Sequence, residues 1–191
     1  MIIASATRKP LDRALDDFYA TPKSAIEQLL AVESFEGRIW EPACGDGAIS
    51  RVLLEYGYDV SSSDLVDRGY GSSGIDFLFA LNPGCWAISN IVTNPPYTLA
   101  TEFVRHALQI TSGKVAMLLK IGFLEGPTRE DVNKHLARVW VIRRRITFLK
   151  NGYELNRSQG KGGIHTYAWF IFSHEHNGPV SLDWLPGEPC K

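Results

Sequence analysis

The sequence predicts an α/β sandwich built on a mostly parallel sheet, and three observations carry that prediction. Short apolar runs alternate with amphipathic segments along the chain. Two glycine- or proline-containing turns, Cys44-Gly45-Asp46-Gly47 and Asn94-Pro95-Pro96-Tyr97, each follow an apolar run. The chain has 191 residues, 45% hydrophobic and 21% charged, which suits one domain that buries its own core without disulfide or metal support.

The elements follow in order. Residues 1–20 read as an irregular segment wrapping the surface. Thr21-Pro22 opens a helix, with Thr21 as N-cap, Pro22 at the first helical position, and Ile26, Leu29 and Leu30 as the apolar stripe. Arg38-Ile39-Trp40 is a strand that breaks at Glu41-Pro42. The helix after Gly47 carries Ile49, Val52, Leu53 and Tyr56 at helical spacing and stops at Gly57. Tyr58–Ser63 is a second strand ending at Asp64, and Arg68–Gly74 is a loop. Trp86–Val92 is a strand running into Asn94. Thr98–Ile110 is a helix presenting Leu99, Phe103, Ala107 and Ile110. Lys114–Lys120 is a buried strand, Thr128–Ala137 a short helix, Arg138–Ile142 a strand. Asn151–Gly163 is a polar glycine-rich loop, His165–Ser173 a last strand, and residues 177–191 an irregular tail. The domain proper is therefore expected at 21–176.

Composition excludes several classes. The three cysteines, Cys44, Cys85 and Cys190, are odd in number and far apart, which fits neither a disulfide framework nor a zinc knuckle and suits a reducing cytoplasm. No secretory signal or membrane-spanning run is read, and the net charge of −1 gives no global basic field. Nucleic-acid contact would have to rest on a local patch. The densest basic region is Arg143-Arg144-Arg145 with Lys150, Arg157 and Lys161, interleaved with Phe148 and Tyr153. It suits phosphate contacts, a solvated strand edge and loop being the other reading. His174 and His176 do not make a closed metal site, and no metal is expected.

In a parallel sheet ligands bind beyond the carboxyl ends of the strands, so both special turns should share one edge. Glu41-Pro42-Ala43-Cys44-Gly45-Asp46-Gly47 lacks a phosphate-cradle pattern. Its carboxylate suits an amine-bearing ligand, and a plain tight turn is the other reading. Asp64 is placed to hold a ribose diol, and Asp76 with Phe77 to meet an adenine amino group beside an apolar wall. In Asn94-Pro95-Pro96-Tyr97 two prolines remove two N–H donors, which frees carbonyls to face a cleft. The Asn94 amide oxygen and a backbone carbonyl can together accept both hydrogens of one NH₂ group, and Tyr97 can stack on the ring that carries it. A proline-capped loop with Tyr97 on the core is the alternative.

These motifs, in this order and spacing, resemble the class I S-adenosylmethionine-dependent methyltransferases of the N6-adenine type, and small phage and prophage adenine methylases in particular. Asp17-Phe18-Tyr19-Ala20-Thr21-Pro22 resembles the Tyr-x-Thr-Pro element that closes over the methionine end of the cofactor. Phe123–Gly126 and Tyr167–Phe170 add to the likeness. The resemblance implies a Rossmann-like, seven-stranded sheet with helices on both faces and no separate target-recognition domain. It implies S-adenosylmethionine as cofactor, held by Tyr19, Thr21, Pro22, Glu41, Pro42, Ala43, Cys44, Gly45, Gly47, Asp64, Asp76 and Phe77. Asn94, Pro95, Pro96 and Tyr97 would hold the acceptor, N6 of adenine in DNA. Arg143, Arg144, Arg145, Lys150, Arg157 and Lys161 would contact nucleic acid. Without a recognition domain, specificity would fall to the loops at Arg68–Gly74 and Asn151–Gly163, or to a second subunit, a homodimer being one arrangement. RNA bases, a protein amide, or a non-catalytic binding module of the same fold are the alternative readings.

Overall fold

The computed structural model describes residues 19–81, 88–143, 149–150 and 165–186. In chain order its elements are β1 (Tyr19–Ala20), α1 (Lys23–Leu30), β2 (Arg38–Glu41), α2 (Ala48–Glu55), β3 (Val60–Ser62), β4 (Ile88–Thr93), α3 (Ala100–Ile110), β5 (Val115–Lys120), α4 (Glu130–Asn133), β6 (Leu136–Val141), β7 (Leu149–Lys150), β8 (Tyr167–Phe172) and β9 (Ser181–Trp184). Seven strands form one sheet in the order β3-β2-β4-β5-β8-β6-β9. Strand β8 runs antiparallel to β5 and β6, and every other pairing is parallel. A separate two-stranded ribbon pairs β1 with β7, Tyr19 opposite Lys150.

The period-2 alternation of strand side chains divides the core between the two faces. Ala116, Leu118, Trp169 and Ile171 face α1 and α2, meeting Ile26, Leu29, Ile49 and Leu53. Met117, Leu119, Phe170 and Phe172 face α3, meeting Phe103, Val104 and Ala107. Trp169 is fully buried and donates its indole N–H to the Ala25 carbonyl at 2.9 Å, which fixes α1 on the sheet. Burying a large apolar side chain of this kind contributes about 1.5–3 kcal/mol.

Five expectations are corrected. Helix α1 begins at Lys23, with Pro22 as its N-cap in an extended conformation (ψ 137°), so Thr21 does not cap it. Thr21 is instead held by Asn94. The chain at Tyr97–Leu99 is a 3₁₀ turn before α3, which rotates Leu99 out to 41% exposure. The Thr128–Ala137 helix shrinks to a 3₁₀ turn at Pro127–Arg129 and the four residues of α4, because Leu136 and Ala137 are already buried in β6, with Leu136 paired to Phe172. The tail is not wholly irregular: Ser181–Trp184 adds β9 to the sheet edge, Val139 opposite Leu182. Tyr56, expected on the α2 stripe, is the C-cap residue and half exposed.

Candidate active site

The carboxyl ends of β2, β3, β4 and β5 gather at one sheet edge, as parallel pairing requires, and the antiparallel β8 enters there. The first turn is built on its own backbone. Gly45 N–H donates to Asp64 Oδ2 at 2.8 Å, Cys44 N–H to the Ser63 carbonyl at 2.9 Å, and Gly47 N–H to the Cys44 carbonyl at 2.8 Å. Gly47, the N-cap of α2, has φ 84°, a conformation costly for any side-chain-bearing residue. A Cβ there would lie 2.6 Å from the Tyr70 ring. Pro42 is buried beneath the turn and Ala43 packs half-buried on the core.

The acidic residues take distinct positions. Glu41 is 1% exposed and its Oε2 accepts from Ser50 N–H at 2.8 Å and from the Ser50 hydroxyl, so this carboxyl locks the first turn of α2. Burial holds its pKa well above the ordinary carboxylate value despite those hydrogen bonds. Burial, with Glu41 and Asp64 adding to it, pushes the Cys44 thiol up to about 12. Asp64 uses one oxygen on Gly45 and the other on Val66 N–H at 2.9 Å; each oxygen retains a lone pair. Asp76 caps the following 3₁₀ turn through Leu78 N–H at 3.0 Å. Phe77 is 2% exposed and its ring packs against Trp40, Phe103 and His106. The Arg68–Gly74 loop folds onto the glycine turn. Tyr70 covers Gly47, Arg51 lies 4.6 Å over the Tyr70 ring, and a Cβ on Gly71 would meet the Ser62 carbonyl at 2.7 Å.

The second turn leaves β4 at the fully buried Thr93. Asn94 Nδ2 donates to Thr21 Oγ1 at 3.1 Å. Its Oδ1 is buried and has no hydrogen-bond partner among the described residues. Pro95 and Pro96 carry no N–H. The Pro96 carbonyl accepts from Leu99 N–H at 2.9 Å, while no hydrogen bond to the Pro95 carbonyl forms among the described residues. A buried acceptor left unmatched costs about 1–3 kcal/mol, so such atoms concentrate where a ligand supplies the donor. Beside this turn lies a cleft of about 480 Å³ lined by Tyr97, Lys120, Phe123, Arg129, His165 and Thr166. Tyr97 packs on Tyr167 with ring centroids 5.7 Å apart, and Lys120 Nζ lies 5.0 Å over the Tyr97 ring. Arg129 donates to the carbonyls of Phe123 and Glu125 at 2.8 and 2.6 Å, clamping the Phe123–Gly126 segment on the cleft wall.

Tyr70, Arg51, Lys120 and Arg129 were not among the residues singled out by sequence. Gly69-Tyr70-Gly71, an aromatic between two glycines, is the one local signal for any of them. Of the basic group, Arg143 is exposed and lies 6.0 Å from the Trp184 ring, and Lys150 is placed by its backbone opposite Tyr19. Arg144, Arg145, Arg157, Lys161, Cys85, Cys190 and the Asn151–Gly163 loop lie outside the described residues, as do residues 1–18. Among the described residues no group of three or more His, Cys, Asp or Glu could hold a metal ion, and no helix is long and apolar enough to cross a membrane.

No family model and no curated protein sequence matches the chain. Solved structures do. A candidate RNA methyltransferase from Pyrococcus horikoshii superimposes with a TM-score of 0.59 at 16% identity, over 82% of this chain and 86% of that one. The modification subunit of a candidate type I restriction enzyme from Vibrio vulnificus gives 0.61 at 12% identity, over 95% of this chain and 50% of that one. The 23S rRNA methyltransferase ErmE gives 0.53 at 15% identity, over 83% and 70%. The sheet order, the helices on both faces and these superpositions together give the chain the Rossmann-like α/β fold that these methyltransferases share.

Proposed function

We propose that this protein transfers a methyl group from S-adenosylmethionine to an exocyclic amino nitrogen, the N6 of adenine in DNA. The observation that carries the reading is Asn94 Oδ1, a buried acceptor, next to the carbonyl of Pro95, both unmatched among the described residues. Two such acceptors suit the two N–H groups of one amine.

The residues at the first turn fit the cofactor. Gly45 leaves its backbone without a side chain, Asp64 suits ribose hydroxyls, and Asp76 suits the adenine amino group. When bound, S-adenosylmethionine supplies a methyl already activated on a sulfonium. The remaining work is orientation. A ring amino nitrogen is a weak nucleophile because its lone pair is delocalised. Asn94 Oδ1 and the Pro95 carbonyl, accepting its hydrogens, favour the pyramidal nitrogen whose lone pair can attack. Tyr97 offers a stacking face to the base, and the adjoining cleft falls in the roughly 300–1,000 Å³ range of small-ligand sites. A base in duplex DNA would have to leave the stack to enter it. Arg143, with Arg144, Arg145, Lys150, Arg157 and Lys161, supplies phosphate contacts.

Adenine in RNA is the second reading, favoured by the RNA methyltransferase names among the structural neighbours. One assay decides. Isotopically labelled S-adenosylmethionine is incubated separately with unmethylated duplex DNA, single-stranded DNA, RNA and cell-extract protein, and nucleosides are read by mass spectrometry beside an Asn94→Ala control. Labelled N6-methyladenine from DNA, lost in Asn94→Ala, is the expected result. Label confined to RNA or to protein would move the acceptor. DNA labelling that survives Asn94→Ala undiminished would remove the role given to Asn94.

A further inference from the structure

We infer that Thr21 is a positioning residue for the acceptor amide: its hydroxyl accepts from Asn94 Nδ2 and holds that side chain with Oδ1 as the arm left for the incoming amino group. The inference rests on the function proposed above and departs from the family-based expectation that Thr21 belongs to the cofactor's methionine end.

An asparagine amide presents an acceptor on one arm and two donors on the other, and a 180° turn of the amide exchanges them. An amino acceptor needs the oxygen. With Nδ2 toward it, donor would face donor. In the structure Asn94 Nδ2 is committed to Thr21 Oγ1 at 3.1 Å, which leaves Oδ1 as the arm without a partner. The hydroxyl suits the task because Thr21 is held on both sides. Before it, Tyr19 and Ala20 pair with Lys150 and Leu149 in the ribbon. After it, Pro22 enters α1 with its carbonyl accepting from Ala25 N–H at 3.0 Å. Thr21 itself is 6% exposed, so water does not readily replace it. This also accounts for the failure of Thr21 to cap α1: its oxygen points to β4's carboxyl end, not back to the helix. The ribbon partner β7 follows Arg143 in the chain, so one clamp joins the segment after β6 to the acceptor amide.

The test compares Thr21→Val, which keeps shape and removes the hydroxyl, with Thr21→Ser, which keeps the hydroxyl. Cofactor affinity is measured by titration calorimetry, and kcat and KM are measured with both substrates saturating in turn on whichever nucleic acid the wild type methylates. We expect Thr21→Val to lower kcat roughly threefold to tenfold, the worth of one hydrogen bond, with cofactor affinity at the wild-type value. Thr21→Ser should recover most of kcat. A residue of purely structural importance would instead lower the folded fraction without this split. Wild-type kcat in Thr21→Val would overturn the inference. So would weakened cofactor binding with kcat intact at saturation, which would return Thr21 to the cofactor, and so would a Thr21→Ser enzyme as slow as Thr21→Val. If the wild type transfers no methyl to any acceptor, the proposed function falls first and this inference with it; an active wild type with an indifferent Thr21→Val sinks this inference alone.

Discussion

Replacing Glu33 by alanine should cost stability without touching the site. Glu33 follows α1, its side chain is 2% exposed, and it gathers three donors: Lys114 Nζ at 2.7 Å, Arg138 Nε at 2.5 Å and the Trp140 indole N–H at 2.9 Å. It thereby ties the end of α1 to the start of β5 and the middle of β6. Removing one member of a buried ion pair typically costs about 3–5 kcal/mol, because the partners are left uncompensated. Here Lys114 and Arg138 keep side-chain exposures of 31% and 39%, so water re-solvates them in part. The expected loss is therefore about 2–3 kcal/mol. For a chain of this length that is roughly 4–12 °C in Tm. The pH dependence has a definite sign. Burial alone would raise the Glu33 carboxyl, but hydrogen bonds from Arg138, Lys114 and Trp140 outweigh it and hold the pKa below the ordinary 4.5. Its contribution is thus complete above about pH 4.5 and is lost as pH falls through the lowered folded value. Urea unfolding of wild type, Glu33→Ala and Glu33→Gln, at neutral pH and at several points below 4.5, measures both effects. A Glu33→Ala loss under about 0.5 kcal/mol, the range of an ordinary surface substitution, would refute the reasoning.

Three further outcomes follow from the first turn. Gly47→Ala should lose at least about 1–2 kcal/mol from its left-handed φ and bind cofactor poorly in calorimetry, and adding Tyr70→Ala should restore part of both by removing the ring a Cβ would strike; strict additivity of the two changes would count against the collision. Glu41→Gln should equal or exceed wild type in urea at pH 8: a carboxyl whose folded pKa is raised stabilises fully below its ordinary 4.5 and loses that contribution as pH climbs toward the folded value, a loss the amide does not suffer. A Glu41→Gln protein whose stability runs parallel to wild type from pH 4.5 to 9 would contradict that assignment. Cys44, 3% exposed with its thiol raised to about 12, should resist iodoacetamide in the native protein at pH 8 and react in urea, as read by peptide mass mapping. Rapid native labelling at Cys44 would mean the turn opens.

The sequence by itself determined the alternation of strands and helices and the sharing of one sheet edge by the two special turns, because period-2 and period-3.6 patterns and glycine–proline breaks are local signals. Asn94-Pro95-Pro96 was legible for the same reason: two missing N–H donors are a property of two adjacent residues. The tertiary structure decided what depends on partners distant in sequence. Leu136 and Ala137 suit a helix locally, yet β8 draws them into β6. Ser181–Trp184, short and exposed, becomes a strand only because β6 offers an open edge. That the Phe77 ring packs on Trp40 and Phe103, far off in sequence, is likewise decided by the fold. Thr21 reads as an N-cap until Asn94, 73 residues away, takes its hydroxyl. A side chain's chemistry is set by its residue type, but its role is set by which polar atoms compete for it, and that competition is between atoms that only folding brings within reach.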